Sequence, residues 1–333
     1  MPKKVSRIFF SIFLLILLSL LFLIGVLHFT PTPLFRLINL VPWNTVQTKP
    51  RDYSAIEEGI KVEKNVSYSN DYPKSRVDIY SPKEMKEKLP VIIFIHGGGF
   101  FKGEKEMARF FGPTLANSQY VFVSVDYNLA PDSTIFDQVK QINEALHFIV
   151  YDGEKYGMDS KKINLSGSSA GGFLALQLLS AYHDESYGKT LGIQPINDLS
   201  LRSLLLYSSV YDLSKFQQPN QNKLVDYLMT KTGWGITGEK NWRADASLGR
   251  KLNLNNFISE DFPPIFITDG NYQTFTTQAK EYADNLKKTG NNVETLFFDS
   301  NEQIGHGYQL KMDTVASEQA IKASSLFLEK WNK

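Results

Sequence analysis

The chain predicts an α/β protein built on a mainly parallel sheet with helices on both faces, and three observations carry that expectation. From about residue 56, two strand-like runs come first with no helix between them, and strand and helix then alternate. Runs such as Val91-Ile92-Ile93-Phe94-Ile95 are apolar throughout, as strands covered on both faces require. Two of the runs end in glycine-rich turns, at Gly97-Gly98-Gly99 and at Gly167-Ser168-Ser169-Ala170-Gly171.

Taken in order, Ile60–Val66 and Arg76–Tyr80 form an antiparallel edge at the start of the sheet. Val91–Ile95, Val121–Asp126, Ile163–Ser166, Ser203–Tyr207, Ile265–Thr268 and Val293–Phe298 complete eight strands. Helices are expected over Glu104–Asn117, Phe136–Tyr156, Ala170–His183, Thr276–Lys288 and Thr314–Trp331. The stretch Tyr211–Asp261 breaks the rhythm. It is polar, rich in Asn and Lys, carries Trp234 and Trp242, and reads as an excursion capping one end of the sheet.

The 333 residues are 42% hydrophobic and 21% charged, enough apolar material for one large or two modest domains. With 36 basic and 35 acidic residues the formal net charge is +1, which leaves no electrostatic footprint for nucleic acid or a polyanionic substrate. Cysteine is absent, which excludes disulfides, thiolate metal sites and a cysteine nucleophile.

The N-terminus follows different rules. Ile8 to Leu27 is apolar except for Ser11, Ser19 and Gly25. Twenty helical residues span about 30 Å, the thickness of a bilayer's hydrocarbon core. Lys3, Lys4 and Arg7 precede the run, and cations there favour a cytoplasmic N-terminus. A cleaved signal peptide is the competing reading, but Leu27-His28-Phe29-Thr30-Pro31 offers no small-x-small cleavage site. The expectation is a single-pass anchor over 1–30, a juxtamembrane linker over 31–55 and an extracytoplasmic globular domain over 56–333, with 211–261 as its cap. Pro31 and Pro33 end the helix, and Leu34–Trp43 is placed along the membrane surface. Asn65-Val66-Ser67 and Asn164-Leu165-Ser166 match the glycosylation sequon, the second on a strand expected to be buried.

The chemistry concentrates in the two glycine motifs. Gly167-Ser168-Ser169-Ala170-Gly171 lies between a strand and a helix, the context of a nucleophile elbow. So tight a turn needs residues without bulk two positions either side of Ser169, hence Gly167 and Gly171. Ser169 then projects from the sheet, with the amide of Ala170 and the helix dipole behind it to stabilise negative charge. In His96-Gly97-Gly98-Gly99 the glycines let backbone amides turn inward, so Gly97 and Gly98 join Ala170 as oxyanion donors. His96 is assigned to bracing that loop. A phosphate-loop reading fails because Gly103 is followed by Glu104 where Lys is needed.

A serine nucleophile needs a base, and the chain has five histidines. His28 belongs to the anchor, His96 to the glycine loop, and His147 and His183 to helices. His306, in Gly305-His306-Gly307-Tyr308 after the last strand, stands where this architecture places its base.

On these motifs the chain resembles the α/β-hydrolase superfamily, in particular the hormone-sensitive-lipase-like and BD-FAE-like serine esterases. Arg76-Val77-Asp78-Ile79-Tyr80, Asp126-Tyr127-Asn128-Leu129-Ala130-Pro131, Lys155-Tyr156-Gly157-Met158-Asp159 and Pro263-Pro264 extend the resemblance over roughly residues 60 to 330. It implies an α/β-hydrolase fold and a carboxylic-ester hydrolase with a Ser–His–acid triad, no cofactor and no metal. The acid departs from the pattern. Where the family carries G-x-x-D, this chain has Gly270-Asn271-Tyr272-Gln273. Asp269 is the first choice for the acid, Asp212 and Glu302 the others, and a Ser–His dyad remains open.

The expected function is hydrolysis of small carboxylic esters, acetylated carbohydrate among them by resemblance, through an acyl-enzyme, with no nucleic-acid partner. The alternatives are a catalytically impaired surface binding module, which Gln273 favours, and a serine peptidase on the same fold.

Overall fold

The computed structural model describes residues 3–41, 47–117, 119–299 and 301–332, without the side chains of residues 3–7 and 23. Three helices lead: α1 (Lys3–Phe29), α2 (Thr32–Leu40) and α3 (Tyr53–Gly59). The sheet begins with β1 (Ile60–Ser67), β2 (Arg76–Pro82) and β3 (Leu89–Ile95), followed by α4 (Phe111–Ala116) and β4 (Val121–Val125). Then come α5 (Ile135–Asp152), β5 (Met158–Ser168), α6 (Ala170–His183), α7 (Glu185–Leu191) and β6 (Leu201–Tyr207). The excursion holds α8 (Lys223–Thr237) and α9 (Ala246–Leu252), after which β7 (Ile265–Asp269), α10 (Thr276–Lys288), β8 (Val293–Phe297) and α11 (Val315–Trp331) close the chain.

The eight strands pair in the order β1-β2-β4-β3-β5-β6-β7-β8. Only β2 runs against its neighbours, antiparallel to β1 and β4, while every pairing from β4 to β8 is parallel. Alternation along β3 supplies both cores. Val91, Ile93 and Ile95 pack with Ile142, Leu146, Leu174 and Leu178 of α5 and α6 on one face. Ile92 and Phe94 pack with Phe111, Leu115, Phe327 and Leu328 of α4 and α11 on the other. A strand buried on both faces must be apolar at every position, and this one is.

Several elements differ from the sequence reading: α3 is not among the expected helices, β5 starts at Met158 rather than Ile163, and three helical stretches depart from it. The helix expected over Glu104–Asn117 is broken into a 3-10 turn, Lys105–Ala108, and α4. Carboxylates claim its first residue. The Lys105 amide donates to Asp126 Oδ1 at 2.7 Å, and its ammonium lies 3.5 Å from Asp78 and 3.7 Å from Asp126, also pairing with Glu106. Phe136–Tyr156 is helical only to Asp152, with a 3-10 turn over Gly153–Tyr156. An additional helix, α7, starts where the Asp184 carboxylate accepts the Tyr187 amide at 2.8 Å.

The segment before the sheet is more than a tether. α2 buries Leu34 and Phe35, and Phe35 joins the core that contains α5 and α6. Trp43, at the end of the stretch placed on the membrane surface, lies outside the described residues. Asn164 is fully buried in β5 and donates to the Val91 carbonyl at 3.1 Å, so its sequon is inaccessible once the chain has folded.

Lys105 is the cation among Asp78, Glu106 and Asp126. Removing one partner of a buried ion pair leaves the others desolvated and uncompensated. Lys105→Ala is therefore expected to destabilise the fold by about 3 kcal/mol, measured as a drop in the denaturant midpoint at unchanged m-value.

Candidate active site

The strand-to-helix turn after β5 sets Ser169 at φ 54°, ψ −121°. A non-glycine residue held there costs about 1–3 kcal/mol and persists only where its surroundings leave no alternative. Those surroundings are backbone. The Ser169 amide donates to the Tyr207 carbonyl at 2.9 Å, and its own carbonyl accepts from Gly172 and Phe173 at 3.0 and 3.2 Å. A Cβ on Gly167 would stand 2.4 Å from the Gly171 carbonyl oxygen, and one on Gly171 would stand 2.1 Å from that of Ile95. No bulk fits on either side of the turn.

His306 reaches this serine from the loop between β8 and α11. Its Nε2 lies 2.9 Å from Ser169 Oγ. The Ile304 carbonyl accepts the Asn271 amide at 2.9 Å, the Asn271 side chain accepts the Ile304 amide at 2.9 Å, and the Gly307 amide donates to Ser208 Oγ at 3.3 Å. The Phe275 ring meets the imidazole edge to face, centroids 5.4 Å apart. The ring keeps an open side toward solvent, yet the protein packed around it desolvates the imidazole and lowers its pKa below the ordinary 6.5.

The glycine loop lies against the elbow. A Cβ on Gly97 would sit 3.0 Å from that of Ser169, and Gly98 has φ +125° with its carbonyl accepting from Lys102 at 2.9 Å. Among the described residues no carbonyl or side chain accepts the amides of Gly97, Gly98 or Ala170. His96 is fully buried and stacks on Tyr127 with centroids 4.3 Å apart. Its Nδ1 faces the Gly97 carbonyl at 2.7 Å and so carries the proton, while Tyr127 Oη donates to the His96 carbonyl at 2.7 Å. Burial pushes the His96 pKa down to about 4, so the ring is neutral and a brace of this loop.

The three candidate acids fall in different places. Asp269 ends β7, fully buried, and its Oδ1 accepts the Gly270 amide at 2.8 Å. Burial pushes its pKa up to about 6 against the pull of donors on Ser208, Gly270, Phe275 and Thr274. Its Oδ2 has no partner among the described residues, and no hydrogen bond joins it to His306. The Asp212 carboxylate is occupied by the Ser214 amide, at 2.9 Å, and by the Ser214 hydroxyl. Glu302 is exposed. Gln273 is exposed too and donates to Tyr272 Oη at 3.3 Å, away from the imidazole. Thus Ser169, His306 and the glycine loop come together, while no described carboxylate is hydrogen-bonded to His306.

Two supporting residues escape a sequence reading. Gln309 donates to Ser168 Oγ at 2.8 Å, next to Ser169, and Ser208 anchors the His306 loop. Neither carries a motif, because each acts only through a neighbour distant in sequence. Ser169 opens on a cavity of about 350 Å³ whose walls are almost wholly apolar. Phe100 and Phe101 form one side, Val225, Leu228, Met229 and Ile236 of α8 another, with Trp242 behind them. Among the described residues no cluster of His, Asp or Glu is arranged to hold a metal ion.

Residues 77–285 match the BD-FAE family model. The chain belongs to the BD-FAE family. Among relatives, isoprenylcysteine alpha-carbonyl methylesterase of Arabidopsis thaliana is 30% identical over 115 residues, 34% of this chain and 27% of that protein. The matches to the first three plant methylesterases span between 24% and 30% of those proteins' length. Esterase LipC of Mycobacterium tuberculosis is 22% identical over 292 residues, 86% of this chain and 70% of its own. Among solved structures, esterase B from Lactobacillus rhamnosis superposes with a TM-score of 0.73 at 20% identity, covering 86% of this chain and 89% of that one. This places the BD-FAE chain in the α/β-hydrolase fold.

The desolvated imidazoles give a direct check. In the full chain labelled at histidine, His306 is expected to titrate below 6.5 and His96 near 4, read from ring chemical shifts in NMR spectra against pH. A midpoint above 6.5 for His306 would mean that a buried anion is paired with it.

Proposed function

We propose that this BD-FAE protein is a serine carboxylesterase that works through an acyl-enzyme. The observation that carries the reading is the 2.9 Å contact of His306 Nε2 with Ser169 Oγ on a strained elbow, at the floor of an apolar cavity. His306 takes the hydroxyl proton as Oγ attacks the ester carbonyl. The amides of Gly97, Gly98 and Ala170 receive the oxyanion. Collapse of the intermediate breaks the bond to the alcohol, which leaves with the proton from His306. Water then attacks the acyl-enzyme by the same route and releases the acid. The names of the relatives support an ester as the substrate. The apolar cavity favours an acyl chain over a sugar ring as the group it receives.

Membrane anchorage through Ile8–Phe29 is part of this reading. It rests on the 22-residue length of that apolar stretch and on its side chains, such as Phe10, Phe13, Leu15 and Phe22, which the rest of the protein leaves exposed. Lys3, Lys4 and Arg7 favour the side that puts the catalytic domain outside the cytoplasm.

For the acid the proposal is Asp269. Gly270 is packed against the backbone of Ile304 and Gly305, which brings Asp269 beside the histidine loop, and its Oδ2 is still unspent. A carboxylate there would fix the imidazole tautomer and stabilise the cation formed during attack.

Two expectations follow from these roles. A fluorophosphonate probe should label the wild-type chain and not Ser169→Ala or His306→Ala; equal labelling of all three would remove Ser169 as the nucleophile. With His306 desolvated, the acid limb of kcat/KM should fall at a pH below 6.5, because the base stays neutral further into acid.

Asp269→Asn should lower kcat by at least about 100-fold, within the range for neutralising a triad acid, while Asp212→Asn and Glu302→Gln stay near wild type. Near-wild-type turnover in Asp269→Asn would leave a Ser–His dyad.

A further inference from the structure

One face of α8, which borders the cavity at Leu228, is unevenly covered. Leu224, Tyr227, Leu228, Lys231 and Gly235 fall at i, i+3, i+4, i+7 and i+11, one stripe of the helix. Its C-terminal half is occupied by the N-terminal helices. Lys231 Nζ donates to the Leu27 carbonyl at 2.6 Å, close to the end of α1, where the helix dipole favours a cation. Gly235 leaves room for the Phe35 ring of α2, which a Cβ there would meet at 2.0 Å. The N-terminal half is uncovered: Leu224 is 66% exposed, Tyr227 40% and Leu228 37%.

What lies over that half follows from α1. Leu27 is two residues from the end of the apolar stretch Ile8–Phe29, or about 3 Å along the helix. An α8 residue bonded to Leu27 therefore sits at the depth where that stretch leaves the hydrocarbon. The surroundings fit such a depth. The Lys231 ammonium lies 5.4 Å from the Tyr227 ring centre and 4.9 Å from that of Trp234, with the Lys240 ammonium 5.5 Å from Trp234. Aromatic and cationic side chains of this kind collect at the bilayer–water interface. α2 and the residue that follows it add Leu37, Leu40 and Val41, all exposed.

The same helix forms the wall of the catalytic cavity. Val225 and Leu228 line it and are 40% and 37% exposed, so the uncovered stripe meets the mouth of the cavity at Leu228. Phe35 meets Phe101 edge to face at 5.3 Å, and Phe101 lines the cavity as well.

We propose that the Leu224–Tyr227–Leu228 face of α8 docks on the bilayer surface next to the exit of α1, so that the cavity opens onto the membrane and takes esters with long apolar acyl chains from the lipid phase. The proposal rests on the esterase and anchor readings above and adds a second membrane contact and a substrate class. The occupant is lipid because the stripe continues a face whose other half is held by the end of the span.

The chain has no cysteine, so single cysteines report position directly. Full-length Leu224→Cys, Phe13→Cys and Tyr151→Cys, each carrying an NBD fluorophore, are reconstituted in phosphatidylcholine vesicles with and without brominated acyl chains. Tyr151 lies near the C-terminal end of α5, which runs away from the catalytic end of the sheet, and serves as the aqueous control. Brominated lipid should quench the Leu224 and Phe13 labels by at least half and leave Tyr151 unchanged. A quenched Phe13 with an unquenched Leu224 overturns the docking and leaves the anchor standing. A Leu224 label shielded from aqueous iodide yet unquenched by lipid means a protein covers the face, which also overturns it. If neither Phe13 nor Leu224 is quenched, anchor and docking fall together. In the Leu224→Asp/Tyr227→Asp variant, turnover of dissolved p-nitrophenyl butyrate should stay within twofold of wild type. Turnover of p-nitrophenyl palmitate held in vesicles should fall at least tenfold. Equal losses on both esters, or none on either, overturn the supply of substrate from the membrane.

Discussion

Ser169 is held in a backbone conformation that few residues other than glycine tolerate, and much of the site is arranged around that constraint. The turn closes because β5 runs straight into α6, with Gly167 and Gly171 giving way to neighbouring carbonyls. The Tyr207 carbonyl on β6 receives the Ser169 amide, so the neighbouring strand also holds the turn in register. Gly97 must pass within van der Waals contact of the serine, which forces the glycine loop after β3 to lie across it. One strained residue thus sets the spacing of the two loops on either side. The strain is affordable because parallel pairing with β3 and β6 anchors the strand beneath it on both edges.

The polar groups near the site are stabilised by different means. His96 is kept neutral by burial and serves the glycine loop through its own carbonyl and that of Gly97. Lys105, a few residues further on, ties the same loop to the sheet through Asp78 and Asp126. Asp269 and His306 are shifted in opposite directions by one cause, loss of water, with the carboxyl raised and the imidazole lowered. Both shifts favour neutral forms. A charged acid seated on the imidazole would shift both the other way, lowering the carboxyl and raising the ring.

The cavity depends on segments from outside the central sheet. α8 forms its wall, Trp242 fills the space left by Gly233, and Phe35 from α2 packs behind Phe101. A helix that precedes the sheet by some twenty residues therefore backs one wall of the cavity through Phe101. The BD-FAE match begins at residue 77, so this contribution lies outside the portion that the family model covers.

Much of the architecture was legible in the sequence because its signals are local. Apolar or alternating runs marked all eight strands, though β5 starts at Met158 rather than Ile163, and α6 and α10 fell at their expected bounds, Ala170–His183 and Thr276–Lys288. The candidate nucleophile, base and oxyanion loop were legible for the same reason: a tight turn demands glycine at fixed offsets, and few histidines were left to choose from. What only the tertiary structure decided depends on contacts between distant residues. The helix expected over Glu104–Asn117 broke because carboxylates on two other segments claim Lys105. Gln309 and Ser208 gained their roles from a serine and a glycine far along the chain. The position of Asp269 relative to His306 turns on how the Gly270–Thr274 loop packs against Ile304–Gly305, and no spacing of residue types encodes that. Periodicity and turn chemistry act over a few residues and can be read in one dimension; packing and desolvation act between segments and exist only once the chain has folded.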